Sequence, residues 1–155
     1  MSLFFATTVN KLDAKGRVSV PAGFRDVLAA QTYKGVILLK SPKAECLEGF
    51  AHSFMETMSA RMDHFDLFSD TQDDIAMSVF GQAVALQFDG DGRITLPTAL
   101  RDYAGIGSEV AFVGLGQKFQ IWSPERLAVR QQAAVATFQQ RGLTIPARTP
   151  VEGKD

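Results

Sequence analysis

The sequence predicts an α+β fold rich in β-structure, built from two copies of one small unit packed as a pseudo-symmetric pair. Three observations carry this. First, residues 10–26, N-K-L-D-A-K-G-R-V-S-V-P-A-G-F-R-D, return at 86–102 as L-Q-F-D-G-D-G-R-I-T-L-P-T-A-L-R-D, shifted by 76 positions. Asp13, Gly16, Arg17, Pro21, Arg25 and Asp26 become Asp89, Gly92, Arg93, Pro97, Arg101 and Asp102. Agreement at that many fixed offsets marks an internal duplication. Second, each copy alternates apolar and polar residues on both sides of a tight D-x-x-G turn, the period of a strand. Third, each copy has about 45 to 50 residues, which rarely bury enough to fold alone. The whole chain of 155 residues is long enough for one domain with a real core.

Taken in order, Thr7 to Leu12 alternates, Asp13-Ala14-Lys15-Gly16 turns, and Arg17 to Val20 alternates again. This reads as a β-hairpin, with Gly16 free to take φ > 0 at the turn. Pro21 is expected at the first helical position of a short helix facing inward through Phe24, Val27 and Leu28. Gly35 to Leu39 is a strand by its β-branched content, and Leu47 to Phe50 is its expected partner. The second copy repeats the plan. Val84 to Phe88, a turn ending in Gly92, and Arg93 to Leu96 lead to Pro97 and a helix with Leu100, Tyr103 and Ala104 inward. Strands Glu109 to Val113 and Phe119 to Trp122 follow. Phe50 aligns with Trp122 at an offset of 72, so the first copy holds four extra residues between its helix and last strand.

These elements divide the chain into a first module at 7–53, a helical connector at 54–82, a second module at 83–126, and a C-terminal helix and tail at 127–155. In the connector, Phe54, Met58, Met62 and Phe65 recur on one helical face. Core comes first for that stripe, and a subunit interface is the alternative, because methionine surfaces adapt to partners. Ser69 to Asp74 is an acidic break that caps a second helix over about 71–80, with Ile75, Val79 and Phe80 inward and Gly81 as its stop. Ser123 and Pro124 open a helix to about Arg141, closed by Gly142. The tail from Leu143, with Pro146 and Pro150, is expected to be loosely ordered.

The net charge is −1, which by itself announces no anionic partner. Its distribution is uneven: residues 1–40 carry six Lys/Arg against two acids, and residues 41–80 carry two against eight. A basic first hairpin beside an acidic connector suggests one face made for an anionic partner, although acidic helix faces are commonly only solvated. The single Cys46 allows no disulfide within the chain and fits a reducing compartment. The start M-S-L-F-F-A-T-T lacks the basic end and apolar core of a signal peptide, and no apolar run is long enough to span a membrane. The expected location is cytoplasmic. His52 and His64 have no ligand-spaced partner. The run Asp89-Gly90-Asp91-Gly92 fails as an EF-hand loop, because Arg93 and Ile94 stand at its fifth and sixth places. Asp73-Asp74 lies in a polar run with nothing to perturb it. With no P-loop, dinucleotide motif or nucleophile elbow, no catalytic residue, metal or cofactor is expected, and the chain is read as a non-enzyme.

The turn carries the chemistry that remains. Asp and Arg four apart across a closed turn let the carboxylate aim the guanidinium, whose planar fork suits phosphate or guanine. One such turn is explained by a glycine and a weak surface ion pair. Two turns with Asp, Gly and Arg all kept in place need more than a turn.

The segments Asn10 to Pro21 and Asp89 to Pro97, with Phe80-Gly81 before the second copy and Phe119-Gln120-Ile121-Trp122 at its end, resemble the MraZ family. These are bacterial regulators made of two SpoVT-AbrB-like modules, and the resemblance covers about residues 3–126. It implies that the modules interleave as swapped hairpins in one pseudo-dimeric domain, and that chains assemble into a homo-oligomeric ring. It also implies that Arg17 and Arg93 contact double-stranded DNA, oriented by Asp13 and Asp89, at turns made by Gly16 and Gly92. Lys11 and Lys15 would add phosphate contacts, which position rather than specify. The implied target is a set of short direct repeats upstream of a division and cell-wall gene cluster, with repression of the protein's own operon and association with the nucleoid. Lys15 stands where the second turn has Asp91, so the first hairpin is expected to grip DNA harder. The rival readings are an antitoxin-like AbrB protein or a ring-forming scaffold whose main partner is another protein, docked on the acidic connector.

Overall fold

The two copies fold by exchanging strands. In a computed structural model describing residues 3–147, β1 (Thr7–Lys11), β2 (Arg17–Ser19), α1 (Ala22–Ala29), β3 (Gly35–Lys40) and β4 (Leu47–Phe50) form the first copy. The connector holds α2 (His52–Arg61), a 3₁₀ turn (Met62–His64) and α3 (Asp70–Ser78). The second copy is β5 (Val84–Gln87), β6 (Arg93–Thr95), α4 (Thr98–Ala104), β7 (Glu109–Gly114) and β8 (Phe119–Trp122). Mixed helices and antiparallel strands make this the expected β-rich α+β fold. The four extra residues of the first copy split into two before β3 and two before β4.

Six strands form one antiparallel sheet in the order β1-β7-β8-β4-β3-β5, and β2 pairs with β6 in a separate ribbon. Exchanging the copies reverses that order onto itself, so a pseudo-two-fold axis runs between β4 and β8. Glu48 faces Gln120 on that axis, and Val18 faces Ile94 where it crosses the ribbon.

This topology corrects the local hairpin. β1 pairs with β7 from Thr7↔Val113 to Lys11↔Glu109, and β2 pairs with β6 from Arg17↔Thr95 to Ser19↔Arg93. Between β1 and β2 the turn closes through Asp13 N–H to Arg17 O at 2.9 Å, and Asn10 Nδ2 reaches Ser19 O at 2.7 Å. Alternation dictates which face of a strand is buried, and any neighbour in register satisfies it. Pairing about the axis lets Val18 and Ile94 both drop to 1% exposure in one core.

That core joins the ribbon and the short helices to one face of the sheet. Val18, Val20, Ile94, Leu96, Phe24, Leu28 and Leu100 pack with Leu38, Leu47, Phe112, Phe119 and Ile121. Phe4, Phe24, Phe112 and Phe119 meet at ring separations of 5.0 to 6.4 Å. A second cluster, Ile37, Leu39 and Phe50, lies on the opposite face under Met55, with Phe54, Met58, Val79 and Phe80 against it. On the axis the Glu48 carboxylate is buried but satisfied: it accepts from Ser41 Oγ at 2.7 Å and Gln120 Nε2 at 3.1 Å, and pairs with Lys118 Nζ at 2.9 Å.

Three local expectations change. Pro21 and Pro97 are the N-caps, with extended ψ of 142° and 144°, and the helices begin one residue later. The connector stripe breaks at Arg61, so Phe54 and Met58 pack inward while Phe65 is 37% exposed; the fully packed side chain is Met55, outside the stripe. Ile75 is equally exposed, because α3 ends at Ser78 and the inward contacts come from Val79 and Phe80 beyond it. Ser69 caps α3 as expected, accepting from Gln72 N–H at 3.0 Å.

The segment from Glu125 is a separate compact unit. Its helix α5 (Pro124–Arg141) starts at the expected proline and ends at Gly142, whose φ is +59°. Leu143 N–H closes the end on Phe138 O at 3.1 Å. His52, the first residue of α2, and Pro124, the first of α5, differ by 72, the offset that relates β4 to β8. Residues 143–147 hold no regular element. The rest of the tail, with Pro150, lies outside the described residues. Among the described residues no helix is long and apolar enough to cross a membrane.

Candidate nucleic-acid interface

The two turns share the same three bonds to their aspartate. In the first, Asp13 Oδ1 accepts from the backbone N–H of Lys15 at 2.9 Å and of Arg17 at 2.8 Å, while Oδ2 accepts from Arg17 Nε at 2.7 Å. In the second, Asp89 Oδ1 accepts from Asp91 N–H at 2.8 Å and Arg93 N–H at 3.0 Å, and Oδ2 from Arg93 Nε at 2.9 Å. One carboxylate therefore folds the turn and aims the arginine together. A residue with a longer or neutral side chain at that place would do one of these and not both.

Both carboxyls are held below the ordinary value of 3.8. The largest cause is the backbone N–H of Arg17 or Arg93, opposed by partial desolvation and reinforced by the other donors of the turn. A depressed carboxyl pKa adds stability above the unfolded value, and that stability is lost as pH falls through the folded value. Carboxyl-carbon NMR titration should therefore place both midpoints below 3.8, with the Arg17 and Arg93 amides moving in step. Midpoints at the ordinary value would mean that the turns do not hold in solution.

The ribbon brings the two turns together. Arg17 sits opposite Thr95 and Arg93 opposite Ser19, so the arginines are diagonal neighbours, about 7–8 Å apart by ladder geometry. Val18 and Ile94 point to the core, which leaves Arg17, Ser19, Arg93 and Thr95 on the outer face. Lys15 is exposed at the tip of the first turn. Lys11 is not on the ribbon: it ends β1 in the large sheet, opposite Glu109. The acids at the second tip differ from the first, because Asp91 Oδ2 also reaches Arg93 Nη2 at 3.3 Å.

Two residues behind this surface have no role that local sequence can assign. Arg25 and Arg101 repeat at the 76-residue offset, a visible signal with no local partner to interpret it. In the fold, the Arg25 guanidinium lies over Gly92 and that of Arg101 over Gly16. Gly92 has φ of +73°, and a Cβ there would meet Arg25 Nη1 at 2.7 Å and Cδ at 2.8 Å. Gly92→Ala should thus destabilise the protein by about 1–2 kcal/mol in urea unfolding. Gly90→Ala, with nothing within 4 Å, should stay within about 0.5 kcal/mol of wild type.

Among the described residues no group of three or more His, Cys, Asp or Glu could hold a metal ion. Comparison with known proteins gives a consistent picture. A family model described as "MraZ protein, putative antitoxin-like" matches residues 79–140. The chain is 42% identical to a "Transcriptional regulator MraZ" of Gluconacetobacter diazotrophicus, over 99% of this chain and 98% of the relative. It is 42% identical to one of Gluconobacter oxydans, over 99% and 96%, and 37% identical to one of Rickettsia akari, over 94% and 97%.

Proposed function

The chain belongs to the MraZ family, and we propose that it is a non-enzymatic, DNA-binding transcriptional regulator that reads duplex DNA with the β2–β6 ribbon. The observation that carries this is the pairing of two carboxylate-aimed arginines on one outer face. A two-stranded ribbon fits the major groove, where a guanidinium fork can bond guanine or phosphate. The names of the relatives support a role in transcription. In the finer form of the proposal, the protein binds short direct repeats upstream of its own division and cell-wall gene cluster, represses that operon, and acts in the cytoplasm at the nucleoid.

We also propose that it works as a homo-oligomeric ring. Leu3, Phe5, Val9, Leu115, Leu67 and Phe68 leave large apolar side chains exposed on the first compact unit, which packing of one copy on another would cover. Several copies on one particle would turn later phosphate contacts into intramolecular ones, which offsets the slightly negative net charge of one chain.

The test is fluorescence-anisotropy titration of the protein against its own upstream DNA at two salt concentrations, with light scattering on the same samples. Binding that prefers the upstream sequence and weakens with salt is the expected result. A well-assembled protein that shows no sequence preference would instead favour a scaffold with a protein partner on the acidic connector.

A further inference from the structure

Each turn is backed by the other module. Val20 N–H, at the end of the first ribbon strand, donates to Gly92 O at 3.2 Å, and Leu96 N–H donates to Gly16 O at 2.8 Å. The helix arginines follow the same crossing. Arg25, on α1, donates from Nε to Val20 O at 3.0 Å and lays its guanidinium across Gly92 of the second turn. Arg101, on α4, places its guanidinium carbon so that a Cβ on Gly16 would stand 3.4 Å away. Its Nη2 donates to Thr98 Oγ1 at 2.9 Å, and its Nε is buried with no hydrogen-bond partner among the described residues.

We propose that Arg25 and Arg101 are crossed positioning residues, each helix of one module holding the DNA-reading turn of the other. Arg25 steadies the turn that carries Arg93, and Arg101 steadies the turn that carries Arg17. The proposal rests on the DNA-binding reading and adds to it a way in which the two turns are kept at one spacing. A planar guanidinium can lie flat on a glycine α-carbon, and a lysine ammonium cannot. Holding the turn from behind reduces the conformations lost when its outer arginine meets DNA, which is preorganisation. Val20 ties the two parts of the second support together, since its N–H binds the turn and its carbonyl anchors the arginine. In the first support the backbone bond from Leu96 is separate from the arginine's anchor, which is Thr98 of its own helix.

The alternative is that Arg25 and Arg101 are independent phosphate contacts. The two are separated by double-mutant cycles in the anisotropy assay on the full chain, with circular dichroism and melting confirming the fold of each variant. Arg25→Ala should weaken binding about 5-fold in the wild type and in an Arg17→Ala background, and by less than about 2-fold when Arg93 is already Ala. Arg101→Ala should show the mirror pattern, losing its effect when Arg17 is already Ala. Arg25→Lys, which keeps the charge, should not restore binding. Losses that add in both backgrounds, with Lys restoring affinity, would overturn the proposal. Amide NMR without DNA gives a separate arm: Arg25→Lys should move Gly92 and Arg93 more than Gly16 and Arg17. If the wild type binds no DNA, the functional reading fails alone. The amide pattern then still decides the positioning role, and an uncrossed pattern would sink it.

Discussion

Arg17→Ala is expected to weaken binding to the upstream duplex by about 1–3 kcal/mol, roughly 5- to 150-fold, and Arg93→Ala by clearly less. The two arginines are held by the same Asp through Nε, so the difference lies in what else faces them. Arg17 keeps both terminal nitrogens clear of acids in the turn, and Lys15 stands beside it. Arg93 spends Nη2 on Asp91, whose carboxylate is 78% exposed and would meet phosphate as a like charge. Rising salt should narrow the gap between the two variants, because the exposed charges are screened. Asp91→Lys, which gives the second turn the charge of the first, should strengthen binding. Anisotropy on equally assembled samples measures all of these. Equal losses from Arg17→Ala and Arg93→Ala would sink the asymmetry, while leaving the ribbon as the binding face.

Phe119→Ala should cost about 3–5 kcal/mol of stability, the range for deleting a buried aromatic ring and leaving a cavity. Phe119 is fully buried on β8, next to the pseudo-two-fold axis. Its ring stands 5.0 Å from those of Phe4 and Phe24 and lies across Gly49, its partner in the β4–β8 pairing. The segment before β1, the first short helix and the sheet from both copies therefore meet at this one side chain. For a chain of this size the loss corresponds to a fall in Tm of roughly 6–20 °C. Phe68→Ala, at 89% exposure, should change monomer stability by no more than about 0.5 kcal/mol. Both are read by urea unfolding at fixed protein concentration, since assembly shifts apparent stability by mass action. A Phe119 variant that melts with wild type would mean that the strand exchange at the axis is wrong.

Much of the fold is legible in the chain, because the duplication and the alternation are local signals. The strands Gly35–Lys40, Leu47–Phe50, Glu109–Gly114 and Phe119–Trp122 fall where β-branched and aromatic runs place them. The helix from Pro124 starts where Ser123 and the proline announce it. The connector is less legible. A stripe through Phe54, Met58, Met62 and Phe65 has helical spacing, but spacing alone does not say how far the core beneath it extends. The second cluster extends only as far as Ile37, Leu39 and Phe50, so the helix stops at Arg61 and Phe65 turns to solvent.

At the candidate site the division is sharper. The sequence alone determined that there are two equivalent turns, that Asp13 and Asp89 sit within reach of Arg17 and Arg93, and that Gly16 and Gly92 close those turns, because all of these contacts span four residues or fewer. Only the tertiary structure decided that β1 pairs with β7 and β2 with β6, that the two arginines share one face, that Lys11 belongs to the large sheet, and that Arg25 and Arg101 lie against the glycines of the opposite turns. A strand's period of two states which side of it is buried, but its hydrogen-bonding edge accepts any partner in register. That partner is chosen by which pairing buries Val18 and Ile94 in a common core, a property of the two copies together that no local stretch of either contains.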